Sequence, residues 1–385
     1  MIFSTMSGSL ANQTIVDAAV LQAVDRATAE LRRGGIVLVR GPGRSAALVQ
    51  AAEGATAANL NTLRDLSRDA PLLLLTVQRA AVLGLVKAAP VQSVGGVVAL
   101  DLTGIPAEAV AELADPTCRR RASLAGSPRL TEAPAGLDTA AVDLAKLARL
   151  LPAALFVPLD GLADPEAWAT EQDLLSVSAS DIAEYRFSAA RSLQPVAEAM
   201  VPLAGAETTR IVAFRPLDGG FEHLAVIIGA PAPDQAVLTR VHSECFTGDL
   251  LGSLRCDCGE QLRGAISSIA ESGAGVLLYL AQEGRGIGLV NKLRAYRLQD
   301  QGADTLEANQ QLGFDADERI YLPAAEILRQ LGFRRVRLMT NNPEKVAALT
   351  RCGIAVDERV PLSFPSNGHN DFYLATKVRR LGHFT

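Results

Sequence analysis

A chain of 385 residues, 49% of them hydrophobic and 21% charged, has room for two ordinary domains with buried cores, and this composition excludes a disordered chain. The formal net charge of −5 excludes broad electrostatic binding of nucleic acid or anionic lipid, and leaves room only for a local basic pocket, of the kind that takes one phosphorylated small molecule. The opening MIFSTMSGSLANQT lacks a basic segment followed by an apolar run, so no secretory signal is expected. Five cysteines, an odd number, with a close C-x-C pair point to reduced thiols, a cytoplasmic location and metal binding ahead of disulfides.

From Ile15 to about Ala190, Ala/Leu-rich helical runs alternate with short β-type runs: GIVLVR (Gly35 to Arg40), LLLLTV (Leu72 to Val77) and AALFVPL (Ala153 to Leu159). That alternation is the signature of an α/β layer fold. Ser45 to Leu60, SAALVQAAEGATAANL, has apolar helical spacing and is expected to be a helix. The most apolar region, Pro71 to Leu102, is interrupted by Arg79, Lys87, Pro90 and paired glycines, so buried strands and a short helix are expected there and no membrane span. This part has no histidine, and its one cysteine, Cys118, is expected to be a small buried hydrophobe. Texture changes over Ser188 to Arg210, which places a domain boundary near residue 191 and divides the chain into 1–190 and 191–385. All four histidines and four of the five cysteines lie beyond that boundary, so the chemistry is expected there.

Three of those cysteines, Cys245, Cys256 and Cys258, fall within fourteen positions as C-x10-C-x-C. Catalytic zinc sites keep three protein ligands and an open position, whereas structural ones close with four. The spacing suits one ion, with Gly248 and Gly252 letting the loop turn back; His242 as a fourth ligand is the structural alternative, and both stay open on spacing alone. Three thiolates around a divalent ion leave a net charge of −1, so a bound water would need neighbouring donors and bases, which Arg240, His242, Glu244, Arg255 and Asp257 can supply. Farther on, the strand Val276 to Leu280 runs through a Gly-rich turn carrying Glu283 and Arg285 into a helix. On that helix Leu289, Leu293 and Tyr296 share one face, which by periodicity reads as core. In VRLMTNNPEKVAALTRCGI, Asn342 suits a helix N-cap, Pro343 the first turn and Gly353 the stop. Thr340 and Lys345 then border a helix start open to phosphate, and Cys352 is read as packing. GFDADERIY, Gly313 to Tyr321, reads as a solvated charged loop.

Taken together, RVHSECFTGDLLGSLRCDCG, QEGRGIGLVNKLRAYRLQDQG, DTLEANQQLGF, DERIY, LMTNNPEK and NDFYLATK, in this order, resemble GTP cyclohydrolase II, the hydrolase that opens riboflavin biosynthesis. The resemblance runs from about Leu193 to the end. It implies that Cys245, Cys256 and Cys258 bind one zinc ion, whose water attacks C8 of the guanine ring and leads to formate release. It further implies that Arg319 acts at the α-phosphate, either as nucleophile or as a stabiliser of charge, with Asp317 as its acidic partner, and that Tyr296 serves ring opening. Nucleotide contacts are implied for Arg240, Glu244, Gln261, Glu283, Arg285, Thr305, Thr340 and Lys345, with Mg2+ at the polyphosphate, GTP as substrate and a homodimer as the assembly. ATAELRRGGIVLVR and DLLSVSASDIAEYR resemble the opening and closing elements of 3,4-dihydroxy-2-butanone 4-phosphate synthase. Where that family carries acidic metal ligands, this chain has GPGRSAALVQ, so an inactive domain of structural or dimer-supporting role is expected. The implied architecture is two α/β domains, the second with a mixed sheet, surrounding helices and the active site at strand ends near the cysteine loop. A bifunctional enzyme and a non-catalytic zinc and nucleotide scaffold are the alternatives; retention of Tyr296, Asp317 and Arg319 speaks against the latter.

Overall fold

The computed structural model describes residues 17–87, 96–118, 129–362, 364 and 368. The opening segment and NDFYLATK lie outside them. Seven strands, β1 (Val37–Arg40), β2 (Ala46–Ala51), β3 (Leu72–Thr76), β4 (Val97–Asp101), β5 (Arg129–Thr131), β6 (Ala153–Leu159) and β7 (Leu175–Ser178), form a first sheet in the order β5-β4-β3-β6-β2-β1-β7. Its pairings are antiparallel except for parallel β1 and β7. Helices Ala18–Arg32, Leu137–Leu147 and Ala179–Arg191 cover one face and Ala57–Ser67 with Ala107–Ala114 the other, giving an apolar core on each side. Burial on both faces explains why LLLLT and AALFVPL are unbroken apolar runs without alternation.

Two expectations fail in this half. Ser45 to Leu60 is not one helix: Ala46–Ala51 is strand β2, buried along its whole length between β1 and β6, and the helix begins only at Ala57, capped by Thr56. Helix propensity of alanine is a preference of a fraction of a kcal/mol per residue, and sheet pairing on both sides outweighs it. Cys118 is exposed, because it sits at the end of the turn after helix Ala107–Ala114 and outside either core. The stretch Pro71 to Leu102 forms β3, helix Val77–Val82 and β4, as far as it is described, and among the described residues no helix is long and apolar enough to cross a membrane.

Strands β8 (Gln194–Met200), β9 (Thr209–Arg215), β10 (His223–Ile228), β11 (Val237–Ser243), β12 (Gly275–Leu280), β13 (Arg335–Met339) and β14 (Ala355–Val360) form a second sheet, ordered β14-β13-β11-β12-β10-β9-β8. It is mixed: β14, β13, β11 and β12 run parallel, while β10, β9 and β8 continue antiparallel. Parallel strands bring their C-terminal ends to one edge, and the loops after β11, β12 and β13 therefore emerge side by side. Helices Leu322–Gln330 and Pro343–Arg351 pack on one face and Cys258–Glu271 on the other. A smaller apolar cluster joins the halves, Leu151 of the first packing with Ile287, Ala295, Leu298 and Phe314 of the second.

Candidate active site

The three thiols meet because of how the sequence leaves β11. Cys245 follows the strand end, a turn over Phe246–Leu250 reverses the chain, and Cys258 opens helix Cys258–Glu271. Gly248 lies where a Cβ would fall 2.9 Å from Cys256 Sγ and 3.0 Å from Cys245 Sγ, so the loop closes over the sulfurs only because that position has no side chain. The ligating atoms of Cys245, Cys256 and Cys258 lie within 4.8 Å of one another, and Cys245 Sγ is 3.7 Å from Cys256 Sγ. Tetrahedral bonds of about 2.3 Å to zinc require sulfur separations of about 3.8 Å, so the donor set fits such an ion. His242 is not part of this group. Its Nε2 donates to Asp249 at 3.1 Å and its ring stacks on Tyr279, while Asp249 also accepts from Cys245 N at 2.9 Å and from Tyr279 at 3.0 Å. The four-ligand alternative thus gives way to a buried Asp249 hub that shapes the cysteine turn.

Lys292, which sequence reasoning missed, stands against the trio: its Nζ is 3.0 Å from Cys245 Sγ and 2.8 Å from Glu283 Oε1. Burial alone would lower its pKa, but these contacts outweigh burial and push it up, so the ammonium stays charged. Contacts with the other two sulfurs, aided by Lys292, push the Cys245 thiol down; the Cys245 contact raises Cys256 to about 11. Glu283 is itself buried, its second oxygen accepting from Phe246 N at 2.6 Å. It therefore ties the Gly-rich turn to the cysteine turn. Burial, then the Glu283 charge, raises the pKa of neighbouring Glu244.

An open cleft lies over the thiols. Its lining contains Arg240, Glu244, Gln261, Glu283, Arg285, Tyr296, Thr305, Arg319, Thr340 and Lys345 together with the three cysteines, residues drawn from 240 to 345 of the sequence. Arg240 and Glu244 alternate with core-facing Val241 at the end of β11. Arg240 donates to Met339 O at 2.8 Å and to Gln261; its Nε is buried and finds no hydrogen-bond partner among the described residues. Burial lowers this guanidinium to about 10, still charged at neutral pH. Arg285 holds φ of 63°, a left-handed conformation that costs a side-chain residue about 1 kcal/mol and aims it into the cleft from the turn. Tyr296 is half-buried beneath Arg255, 5.0 Å above its ring, with its hydroxyl 3.4 Å from Thr247. The core reading of its helix face fails, since Leu293 is 51% exposed and the face borders the cleft.

At the other end, Asn342 caps helix Pro343–Arg351, accepting from Glu344 N at 3.0 Å, and Lys345 Nζ donates to Val241 O at 2.9 Å, so Thr340 and Lys345 flank a helix start facing the cleft. Arg319 points in from the 313–321 stretch with its fork on Asp317, whose Oδ1 accepts from Nε at 2.8 Å. Asp317 stands behind Arg319 and does not itself line the cleft. Burial would raise its carboxyl, but the Arg319 guanidinium holds it below the ordinary carboxylate value. The solvated-loop reading of 313–321 therefore fails: Glu318 and Asp315 pair with Lys146 and Arg186 of the first half. Cys352 is half-buried against the core, remote from the thiol group, in agreement with a packing role.

A thiol trio beside an anion-ready cleft, with cations at 240, 285, 319 and 345, has counterparts in known proteins. The family model for GTP cyclohydrolase II matches residues 194–361. Over 371 residues the chain is 56% identical to GTP cyclohydrolase-2 of Azospirillum brasilense, covering 96% of this chain and 95% of that protein. It is 46% identical over 259 residues to riboflavin biosynthesis protein RibBA of Synechocystis sp., covering 65% of this chain and 46% of that one. Among solved structures, RibBX of A. baumannii, a two-domain 3,4-dihydroxy-2-butanone 4-phosphate synthase, aligns with 89% of this chain and 99% of its own at 19% identity and a TM-score of 0.36. The near full-length match, joined to a family-model match that spans the three cysteines and the cleft residues from 240 to 345, makes the chain a member of the GTP cyclohydrolase II family, an enzyme family of riboflavin biosynthesis.

Proposed function

We propose that residues 191–385 form the catalytic domain of a zinc-dependent GTP cyclohydrolase II, which converts GTP to formate, diphosphate and a diamino-ribosylaminopyrimidinone 5′-phosphate. The observation that carries this is the convergence of three thiols, within 4.8 Å of one another, with Tyr296 and Arg319 on one cleft. Cys245, Cys256 and Cys258 would hold the zinc, which when bound supplies Lewis acidity and an activated water for the guanine C8 carbon. Lys292, held in place by Glu283, orients Cys245 and offsets part of the charge of three thiolates. Glu244, with its raised pKa, is poised to exchange a proton at the base, and the Tyr296 hydroxyl to donate or accept one during ring opening. Arg240 and Gln261 bind beneath the nucleotide, and Arg285, Thr305, Thr340 and Lys345 fix the remaining contacts.

Arg319 and Asp317 take the phosphate end together with Mg2+. A guanidinium paired to a carboxylate stays protonated, so charge stabilisation as diphosphate leaves is the role that residue chemistry favours. Residues 1–190 serve as a structural domain: the turn after β1, closed by Gly41 N to Ser45 O at 2.8 Å, presents Pro42, Gly43 and Arg44 where metal binding would need carboxylates. The enzyme acts as a cytoplasmic homodimer on a small nucleotide and not on nucleic acid. Incubation of metal-quantified protein with GTP and Mg2+ should release formate and diphosphate in equal amounts. Cys256→Ser should remove both the bound zinc and the formate. Diphosphate without formate from the zinc-loaded protein would sink the proposal, and dihydroxybutanone phosphate made from ribulose 5-phosphate would sink the structural reading of 1–190.

A further inference from the structure

The stretch that carries Asp317 and Arg319 faces the cleft on one side and the N-terminal half on the other. Lys146, on helix Leu137–Leu147, places Nζ 2.8 Å from Glu318 Oε1 and 3.6 Å from Asp315, and the Lys146 and Glu318 side chains are only 10% and 7% exposed. Arg186, on helix Ala179–Arg191, donates to Glu318 O at 3.2 Å. Gln78 donates to Asp315 Oδ1 at 2.7 Å, and Thr76 Oγ1 to Gly313 O at 2.8 Å. Gly313 has φ of 89°, and a Cβ there would fall 2.9 Å from Thr76 Oγ1 and 3.0 Å from Pro152 Cγ, so the backbone of the stretch is pressed onto the first half. Glu318 N in turn donates to Arg285 O at 3.1 Å. One buried carboxylate residue thus connects two cations of the first half to Arg285 and, through its chain neighbours, to Asp317 and Arg319.

We propose that Lys146 and Arg186 are positioning residues for the cyclohydrolase reaction: through Glu318 they hold Arg285 and the Asp317–Arg319 pair at the phosphate end of the cleft. The N-terminal half is then a working part of the active site, although among the described residues it contributes no side chain to the cleft lining. The physical reason is the cost of an unpaired buried charge. Without Lys146, the one cation left on the Glu318 carboxylate among the described residues is Arg186 at 3.5 Å, beside the Asp315 N–H at 3.1 Å, so the under-compensated charge moves toward water and carries the stretch with it. A displacement of about 1 Å in a positioning element can lower turnover by about a hundredfold. This inference rests on the reading that Arg319 acts on the substrate.

The test is a double-mutant cycle on full-length, zinc-loaded protein, following formate release. Lys146→Met is expected to lower kcat about ten- to hundredfold with zinc content unchanged. Lys146→Arg, which preserves the charge, should recover most of it. In an Arg319→Lys background, which keeps the charge but loses the fork, Lys146→Met should cost less than about threefold, because both changes disturb the same contact. Equal fold-losses in the two backgrounds would mean that Lys146 only holds the halves together, and an unchanged kcat for Lys146→Met would equally overturn the proposal. Should Lys146→Met fail to fold, Arg186→Met, at a side chain already 28% exposed, gives the same reading with a smaller loss, and a full kcat there overturns it. Arg319→Ala separates the two levels: full turnover in that variant defeats the role of Arg319 itself, whereas an inactive Arg319→Ala beside an active Lys146→Met defeats only the role of Lys146.

Discussion

Lys292 is the residue on which the cysteine site turns. Its ammonium contacts both Cys245 and Glu283, so it supplies the positive charge that three thiolates and a buried carboxylate require at close quarters. Lys292→Met should weaken metal retention about ten- to hundredfold, the usual range for losing a residue that orients a ligand. Competition with a chelator, followed by release of bound zinc, measures this directly; unchanged retention would reduce Lys292 to a packing role. The three cysteines are legible from spacing, because residues so close in sequence have few ways to be apart. Lys292 is not, although one signal exists: it precedes Tyr296 by four positions, so both share a helix face, 5.7 Å from Nζ to ring centre.

At the scale of elements, helix Pro343–Arg351 shows local chemistry acting as the sequence implies. Asn342 accepts from Glu344 N, proline occupies the first turn, and Gly353 takes φ of 81° past the end. Asn342→Ala should lower stability by about 1 kcal/mol, seen as a shift in the urea midpoint, and a smaller kcat loss than for Arg319 variants is expected since the helix start also borders the cleft. Strand β2 shows the opposite. Ala46–Ala51 has no local feature that rejects a helix, and what makes it a strand is the presence of β1 and β6 on either side. Strand β1 lies one short turn upstream, but the pairing with β6, about a hundred residues on, leaves no mark in a window of fifteen residues. The face of helix Leu289–Gln299 fails for a related reason: periodicity locates a face but cannot tell a core from a cleft.

At the scale of the molecule, the halves are joined by buried charge as well as by the small apolar cluster. Arg294 reaches Glu53 at 2.7 Å and Asp115 at 3.1 Å, and Lys146 with Arg186 reaches Glu318. Burial would raise the Glu318 carboxyl above its ordinary 4.5, but Lys146 and Arg186 outweigh burial and hold it lower. A depressed folded-state pKa means that the unfolded chain binds the proton more readily, so this pairing stabilises above the ordinary value and is lost as pH falls through the folded one. Melting temperature should therefore fall on acidification below about 4.5, and Glu318→Gln should fall less steeply over that range while starting lower at neutral pH. Identical slopes would show that Glu318 carries none of the linkage.

The sequence by itself determined the α/β class, the cysteine trio, the N-cap at Asn342 and the block of residues from 240 to 345 that line the cleft, since each depends on short-range spacing or on a run of matching motifs. Only the tertiary structure decided which charges meet. His242 turns to Asp249 and away from the thiols, Glu283 faces Lys292, and the acidic 313–321 stretch is covered by cations more than a hundred residues away in sequence. A charge is placed by the partner that compensates its burial, and that partner is chosen by folding in space, not by neighbourhood in the chain.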